Sequence, residues 1–278
     1  MTPVLEPPVL EAVPDVRLIA VDMDGSLLDD QDRIDDSLWP LLDELDRRGV
    51  AFCPASGRQY ANLRQRFGRD DLVYIAENGA YVVRDGRRVS SDGIDLPTMH
   101  ALVDAVRRHT VLGGDVGAVV CGIDSAYVER TDEVFLDQAR TYYARLEVVD
   151  DLREVDDEVL KVAVYDFGSA QDGVAHTLRP FEGLHRVVVS GAHWVDVMSP
   201  TADKGAALRQ VQADLGIGPE HTMAFGDYLN DLGLLAAADL SFAMDNAHPQ
   251  VREQARFVAP ANTRNGVVRT ITSVLGLG

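Results

Sequence analysis

The sequence is short of cysteine, of positive charge and of long apolar runs, and each shortage excludes a class of protein. Only two of its 278 residues are cysteines, Cys53 and Cys121, which is too few for a disulfide framework. No apolar run approaches the ~20 residues that a membrane-spanning helix needs. Lys and Arg number 26 against 45 Asp and Glu, a net charge of −19, so nucleic acid and anionic membrane are unfavourable partners.

The first 14 residues differ in composition from the rest of the chain. They contain four prolines and no Lys or Arg. This pattern is typical of a flexible leader and not of a signal peptide or a membrane anchor. We therefore expect a cytoplasmic protein whose ordered chain begins near residue 15.

Two carboxylates stand where an early apolar run ends. Residues 16–21 are typical of a buried strand, and Asp22 and Asp24 come directly after it, followed by Gly25. Burying two carboxylates close together is unfavourable without a cation, and Mg²⁺ is a hard cation that oxygen ligands hold well. Taken alone, however, the pattern is that of a solvated acidic turn, so its meaning depends on the rest of the chain.

A second apolar run and an unusual lysine carry groups that suit a phosphate. Residues 51–55 lead into Ser56-Gly57-Arg58, where the Ser56 hydroxyl and the Gly57 N–H are donors for phosphate oxygens. Lys204 opens an amphipathic stretch and is one of two lysines beside 24 arginines. In a chain that otherwise uses Arg, a lysine indicates a site that needs a compact point charge.

A third apolar run again ends in glycine and acids. Asp227 follows Gly226, and Asn230 and Asp231 lie three and four positions further on, at the start of another apolar stretch. At that spacing Asn230 and Asp231 can face back toward the same crevice as Asp227. Alone, these residues would also fit an ordinary helix N-terminus, where acids are favoured.

In this order the four segments resemble the haloacid dehalogenase superfamily of phosphohydrolases, most closely its Cof-type branch (subclass IIB). Residues 77–80, 243–247 and 265–267 also match that branch. The resemblance implies an α/β fold, with a Rossmann-like doubly wound parallel sheet core and an inserted mixed α/β cap domain. Ser26 and Ser56 stand where threonine is common in the family, and both keep the hydroxyl.

The resemblance also implies a role for each candidate residue. Asp22 would be the nucleophile and Asp24 the general acid and base. The Mg²⁺ ligands would be Asp22, Asp24 through its backbone carbonyl, and Asp227. The groups that bind the phosphoryl oxygens would be Ser56, Gly57, Lys204 and Asn230. Asp231 would orient Lys204 or a metal-bound water. Outside these family roles, we expect Arg58 either to reach the substrate or to brace Glu77 or Asp231.

Spacing predicts where the cap is inserted. Asp22 and Ser56 are 34 positions apart, enough for one helix, whereas Ser56 and Lys204 are 148 positions apart, which leaves roughly a hundred residues for another domain. We predict a catalytic core of residues 15–82 and 189–278, and a cap of residues 83–188 that determines substrate specificity. Strands at 187–189 and 194–198 are expected to return the chain to the core sheet, and Lys161 is expected at the surface end of a cap strand.

Three functions are compatible with these residues. The first is a Mg²⁺-dependent phosphatase that acts on small phosphorylated metabolites, such as sugar or cofactor phosphates. The second is a phosphomutase, which would need the cap to hold a second phosphate. The third is a non-catalytic phosphate-binding regulatory module, although a pure binder has no use for Asp24. The sequence does not determine the substrate or the oligomeric state.

Overall fold

The computed structural model describes residues 6–8 and 12–277 and divides the chain into two compact units. Unit 1 contains the chain up to residue 57, residues 70–87 and the chain from residue 203 onward. Unit 2 contains residues 58–69 and 88–202. The predicted leader falls partly on residues 1–5 and 9–11, which lie outside the described part. No helix among the described residues is long and apolar enough to cross a membrane.

Strands and helices alternate over much of the chain. The strands, in chain order, are β1 (Leu18–Asp22), β2 (Ala51–Ala55), β3 (Val73–Ala76), β4 (Tyr81–Arg84), β5 (Arg87–Ser91), β6 (Val116–Gly122), β7 (Ala126–Val128), β8 (Leu146–Val148), β9 (Val159–Asp166), β10 (Arg186–Val189), β11 (Trp194–Met198), β12 (Thr222–Gly226), β13 (Leu240–Met244) and β14 (Phe257–Ala259). The α-helices are α1 (Leu38–Arg47), α2 (Tyr60–Phe67), α3 (Leu96–Val111), α4 (Glu133–Tyr142), α5 (Val174–Leu178), α6 (Lys204–Leu215), α7 (Leu232–Ala236), α8 (Pro249–Gln254) and α9 (Gly266–Val274).

The larger sheet has the order β14-β13-β12-β1-β2-β3-β4-β5, and its strands from β14 to β3 are parallel. Strand β1 is buried throughout, as the apolar sequence of residues 18–21 predicts for a central parallel strand. The chain runs from β1 to β2 on one side, while β12 lies on the other side of β1. This reversal of strand order opens a crevice at the carboxyl ends of the strands, where ligands bind in open α/β sheets. The α/β fold class and the parallel core predicted from the sequence are confirmed.

Unit 2 contains a mostly antiparallel sheet with the order β10-β11-β9-β6-β7-β8. The prediction that residues 187–189 and 194–198 return to the core sheet is wrong, because β10 pairs with β11 and β11 pairs with β9. Both strands lie where the pattern predicted them. The sheet that they join is determined by the pairing of β11 with β9, a strand some 30 residues earlier in the chain. The assignment of residues 83–188 to a specificity cap stays a prediction.

The two faces of the unit 2 sheet bury different side chains. On β9, Val162 and Val164 belong to an apolar cluster that also contains side chains of α3 and α5. Ala163 and Tyr165, which alternate with them, belong to a second cluster with side chains of α4 and Trp194. The second face is therefore the more aromatic of the two.

Candidate active site

The carboxyl ends of three neighbouring strands bring the first candidate residues to one edge of the sheet in unit 1. Asp22 is the last residue of β1, Ser56 follows β2 and Asp227 follows β12. Strand β1 pairs with both β2 and β12, so these three positions lie side by side although Asp22 and Asp227 are far apart in sequence. This is the crevice that the strand order opens.

Lys204 connects two of the carboxylates. Its Nζ donates to Asp22 Oδ1 at 2.5 Å and to Asp231 Oδ1 at 2.7 Å. The lysine is 1% exposed, so both bonds are charge-assisted hydrogen bonds in a desolvated setting. The sequence predicted that Asp231 would orient either Lys204 or a metal-bound water. In the structure Asp231 accepts a hydrogen bond from Lys204.

The start of α6 places Lys204 in the crevice. The side chain of Asp203 caps the helix by accepting from the N–H groups of Gly205 and Ala206 at 2.9 and 3.0 Å. Gly205 lets the helix come close to its neighbour, since a Cβ at this position would lie 2.1 Å from the carbonyl oxygen of Gly233. A larger residue than glycine would push the helix, and with it Lys204, away from the acids.

Asp231 uses both of its oxygens. While Oδ1 accepts from Lys204, Oδ2 accepts from the backbone N–H groups of Asp227 and Tyr228, each at 3.1 Å. The residue is fully buried. Asp231 therefore holds the loop that carries Asp227 in a fixed position relative to Lys204.

Three carboxylates face one ammonium group in this site. Oxygens of Asp22, Asp227 and Asp231 lie within 4.8 Å of one another. Burial and the charge of Asp231 raise the pKa of Asp22 well above its usual range, although Lys204 opposes the shift. Burial and the charge of Asp231 likewise raise the pKa of Asp227 to about 6. Burial works against the charged form of Lys204, but Asp22 and Asp231 overcome it and raise the pKa of the lysine.

This donor set fits Mg²⁺. Asp227 Oδ1 is buried and accepts no hydrogen bond from any described residue, which is costly for a carboxylate oxygen unless a cation binds it. Gly25 makes room on the same side, since a Cβ there would lie 2.3 Å from Asp227 Oδ2. Gly25 also has a φ of +79°, which glycine adopts without strain. The Asp24 side chain, in contrast, is exposed.

Ser56, Gly57 and Asn230 are linked through a residue that the sequence analysis did not identify as part of the site. The N–H of Asn78 donates to the Ser56 carbonyl at 2.9 Å, and Asn230 Nδ2 donates to Asn78 Oδ1 at 3.1 Å. A Cβ on Gly57 would lie 2.9 Å from Asn78 Nδ2. The family match at residues 77–80 was the sequence signal that could have identified Asn78. In the structure Asn78 has a φ of +56°.

Asn246 is a second residue that the sequence analysis did not place in the site. Its Nδ2 donates to the carbonyl oxygen of Gly25 at 2.7 Å, and its Oδ1 accepts from the N–H of Asn262 at 3.1 Å. Asn262 in turn donates to the carbonyl oxygen of Leu28 at 2.9 Å. The two asparagines thus hold the segment that directly follows Asp24, from Gly25 to Leu28.

Arg58 and Lys161 lie in unit 2. The guanidinium carbon of Arg58 is 5.9 Å from the ring centre of Tyr142, and the arginine is buried. The prediction that Lys161 is a surface residue is wrong, because it is 3% exposed and its Nζ lies 3.7 Å from Asp196 Oδ2. The sequence could not show this, since Asp196 belongs to a different strand.

Known proteins resemble this chain in both sequence and fold. The profile of the haloacid dehalogenase-like hydrolase family matches residues 19–271. The 5-amino-6-(5-phospho-D-ribitylamino)uracil phosphatase YbjI of Escherichia coli (strain K12) is 32% identical over 94% of this chain and 96% of its own length. A phosphatase of the same name in Bacillus subtilis (strain 168), YitU, is 26% identical over 94% of this chain and 98% of its own.

A solved structure extends the likeness to the fold. The HAD subclass IIB sugar phosphatase BT4131 superposes with a TM-score of 0.75 at 20% identity, over 95% of this chain and 100% of its own. The family profile covers nearly all of the chain, and the motifs that it spans are those that meet in the crevice. The chain therefore belongs to the haloacid dehalogenase-like hydrolases, in their Cof-type (subclass IIB) branch, as its motifs predicted.

Proposed function

We propose that this hydrolase is a Mg²⁺-dependent phosphatase that cleaves phosphomonoesters of small metabolites through an aspartyl-phosphate on Asp22. The observation that carries the proposal is the pair of bonds from Lys204 to Asp22 and Asp231, with Asp227 beside them. A lysine held in this way orients the attacking carboxylate and brings positive charge to the place where phosphoryl oxygens must sit.

The first step is a displacement at phosphorus. An oxygen of Asp22 attacks, a bond forms between that oxygen and phosphorus, and the bond from phosphorus to the leaving alcohol oxygen breaks. Asp24 gives a proton to that alcohol oxygen as it leaves. The exposure of the Asp24 side chain suits this role, because the leaving group departs toward solvent.

The second step regenerates the enzyme. Asp24, now a carboxylate, takes a proton from a water molecule whose oxygen attacks phosphorus, and the bond from phosphorus to Asp22 breaks to release inorganic phosphate. The Ser56 hydroxyl, the Gly57 N–H, Lys204 and Asn230 bind the phosphoryl oxygens in both steps. Asn78 contacts the Ser56 and Gly57 segment, and we infer that it holds the backbone of this segment in position.

Asp22, Asp227 and the Asp24 carbonyl would hold the cation. When bound, Mg²⁺ neutralises negative charge between the nucleophile and the phosphoryl group, two anions that otherwise repel. The orphaned Asp227 Oδ1 and the raised pKa values of Asp22 and Asp227 support a cation at this place.

For the substrate we propose a phosphorylated metabolite with a polyhydroxylated chain and a small ring. Two relatives are named for 5-amino-6-(5-phospho-D-ribitylamino)uracil and one structure for a sugar phosphate. We place the ribitylaminouracil ester first, because the relative that is 32% identical over 94% of this chain is named for that substrate.

A panel assay tests the proposal. Release of inorganic phosphate is measured from the ribitylaminouracil ester, from hexose phosphates and from p-nitrophenyl phosphate, with Mg²⁺ and with excess chelator. We expect hydrolysis that needs Mg²⁺ and favours the ribitylaminouracil ester. Full activity in chelator would exclude the metal role. Isomerised sugar phosphate without release of phosphate would indicate a mutase instead.

A further inference from the structure

Strand β13 brings an asparagine to the edge of the unit 1 sheet that carries the candidate active site. The strand ends at Met244 and pairs in parallel with β12, so Asn246 follows its carboxyl end as Asp227 follows that of β12. Asn246 Nδ2 donates to the carbonyl oxygen of Gly25 at 2.7 Å. A strand-end side chain that the proposed chemistry does not use therefore contacts the residue directly after Asp24.

A second asparagine extends the contact to the far end of the same segment. Asn262 Nδ2 donates to the carbonyl oxygen of Leu28 at 2.9 Å, and the Asn262 N–H donates to Asn246 Oδ1 at 3.1 Å. The N–H of Leu28 in turn donates to the carbonyl oxygen of Met23 at 2.9 Å. Because Met23 directly precedes Asp24, these hydrogen bonds hold the main chain on both sides of that acid.

Asp245 fastens the loop of Asn246 to the neighbouring segments. Its Oδ2 accepts from Arg264 at 2.9 Å, and its carbonyl oxygen accepts from Arg252 at 2.8 Å. Arg264 belongs to the short turn Asn262–Arg264, which also carries the second asparagine. The two asparagine loops are therefore joined by an ion pair as well as by their own hydrogen bond, and such support fixes the direction of a side chain.

The main chain at Asp24 and Gly25 is not kept in place by regular secondary structure. Asp24 has a φ of −78° and a ψ of 118°, and Gly25 has a φ of 79° and a ψ of −3°, so neither is helical. Gly25 also lies against Asp227, since a Cβ on the glycine would be 2.3 Å from Asp227 Oδ2. A change in the direction of the Gly25 carbonyl would therefore shift the main chain beside both acids.

Stability alone gives little reason for the bond from Asn246 to Gly25. Asn246 is exposed, so water can take the place of its amide as the donor to the Gly25 carbonyl. Water satisfies that oxygen without holding it in one direction, whereas the supported amide does hold it. The bond therefore contributes more to the orientation of the segment than to the free energy of folding.

We propose that Asn246, supported by Asn262, is a positioning residue that acts through the main chain of Gly25 and keeps Asp24 within reach of the leaving oxygen. A general acid must come within about 3 Å of the oxygen that it protonates. A misplacement of about 1 Å can lower a rate roughly 100-fold. This inference rests on the proposed phosphatase function and deepens it.

The contact determines which esters the enzyme can cleave. An alkyl alcohol needs the proton of Asp24 in order to leave, whereas p-nitrophenolate is stable enough to leave without one. With Asp24 held in place, alkyl phosphomonoesters are substrates as well as activated aryl esters. Asn246 therefore affects selectivity through the leaving group and not through any contact with the substrate.

The test compares Asn246→Ala with Ser37→Ala. The control also removes an exposed hydrogen bond from an asparagine amide in unit 1, since Asn265 Nδ2 donates to Ser37 Oγ at 2.7 Å. The value of kcat/KM, which reports the cleavage of the ester, is measured for the ribitylaminouracil ester, an alkyl phosphate, and for p-nitrophenyl phosphate. Amide hydrogen exchange of residues 24–28 is measured without substrate, and Tm checks that each variant is folded.

For Asn246→Ala we expect kcat/KM of the ribitylaminouracil ester to fall roughly 10- to 100-fold, while kcat/KM of p-nitrophenyl phosphate and the Tm change little. Phosphorylated protein should accumulate with p-nitrophenyl phosphate, because Asp24 also activates the water of the second step. Exchange in residues 24–28 should become about 10-fold faster. Ser37→Ala should behave as the wild type. An equal loss for both esters, or no loss for either, would overturn the proposal.

A second variant removes the donor without changing the size of the side chain. Asn246→Asp can still accept from Asn262 but cannot donate to Gly25, so it should lose the alkyl ester preferentially, as the alanine variant does. A wild-type ratio of the two esters in Asn246→Asp would overturn the proposal. If the wild type cleaves neither ester, the proposed function fails. Hydrogen exchange then decides the positioning role, since unchanged exchange of residues 24–28 in Asn246→Ala would overturn it.

Discussion

The two buried lysines stand in different surroundings, one at the end of the unit 1 strands and the other within the unit 2 sheet. Lys204, at the strand ends of unit 1, faces three carboxylates, so negative charge exceeds positive charge. Lys161, in the middle of a strand in unit 2, lies 3.7 Å from Asp196 beside aromatic rings. The excess of negative charge around Lys204 suits a cation and a reaction in which charge moves, whereas Lys161 has a structural environment of strands and rings around it. Substitutions and a change of pH can test this contrast.

The largest effect is expected from Asp22→Asn, which removes the nucleophile. Turnover of every substrate should fall by about 10⁴-fold or more, because no other described carboxylate is bonded to Lys204 at the end of β1. Asp46→Asn, an exposed carboxylate on α1, is the control. Near-normal rates in Asp22→Asn would contradict the assigned nucleophile.

A companion variant separates the two acids. Asp24→Asn should still permit attack on a good leaving group such as p-nitrophenol but slow the hydrolysis of the intermediate. Phosphorylated protein should then accumulate, and mass spectrometry should locate the phosphate on Asp22. Phosphate found elsewhere in the protein would disprove the division of roles.

Lys204→Met compared with Lys161→Met tests the contrast directly. The first removes positive charge from the phosphoryl site, so kcat for all substrates should fall about 10³-fold. The second leaves the buried Asp196 without this partner, so it should lower the Tm but spare the hydrolysis of p-nitrophenyl phosphate by the folded protein. Steady-state kinetics on both esters measures this. If both variants lose kcat on p-nitrophenyl phosphate to the same extent, the distinction between a lysine of the reaction site and a structural lysine is wrong.

Gly25→Ala compared with Gly49→Ala tests how tightly the cation site is packed. Both glycines have positive φ, +79° and +68°, so both variants should lose roughly 1–2 kcal/mol of stability from backbone strain. Only at Gly25 would the new Cβ meet Asp227, whereas nothing lies within 4 Å of Gly49. We expect activity to fall roughly 10- to 100-fold for Gly25→Ala alone. Saturation with Mg²⁺ should move to higher concentration.

The smallest effect concerns pH. The pKa of Asp227 is raised from 3.8 to about 6, so the folded protein without a cation holds a proton that the unfolded chain has lost, and this part of its stability disappears as pH rises through that window. Mg²⁺ must displace the proton below pH 6. The gain in Tm on adding Mg²⁺ should therefore be roughly 2–4 °C smaller at pH 5 than at pH 7.5. A gain independent of pH, by differential scanning fluorimetry, would argue against Asp227 as a ligand.

The residues at strand ends could be predicted because their signal is local. Asp22, Ser56 and Asp227 each follow an apolar run, and parallel strands necessarily bring such positions to one edge. The contact between Lys204 and Asp231 came from the family resemblance, which gave Lys204 and a metal-bound water as the two possible partners of Asp231.

What could not be predicted depends on pairing between distant strands. The burial of Lys161 requires β11 to lie beside β9, and the sequence of β11 would fit either sheet equally well. Asn78 and Asn246 act mainly through contacts with the backbone of other segments, and asparagine in a loop is too common to indicate a site. The missed features are therefore those determined by tertiary contacts.

The pairing of β1 with β12 also governs how the chain can fold as it is made. Leu18 pairs with Thr222, so one edge of β1, a strand that is buried along its whole length, has no partner until about 200 further residues have been synthesised. At 5–20 residues per second that interval is roughly 10–40 s. The strands of unit 2 lie between β1 and β12 in the chain, and they can pair with one another before β12 exists. An open β1 edge is a place where nascent chains can associate, so a ribosome that stalls before residue 222 leaves a product prone to aggregation.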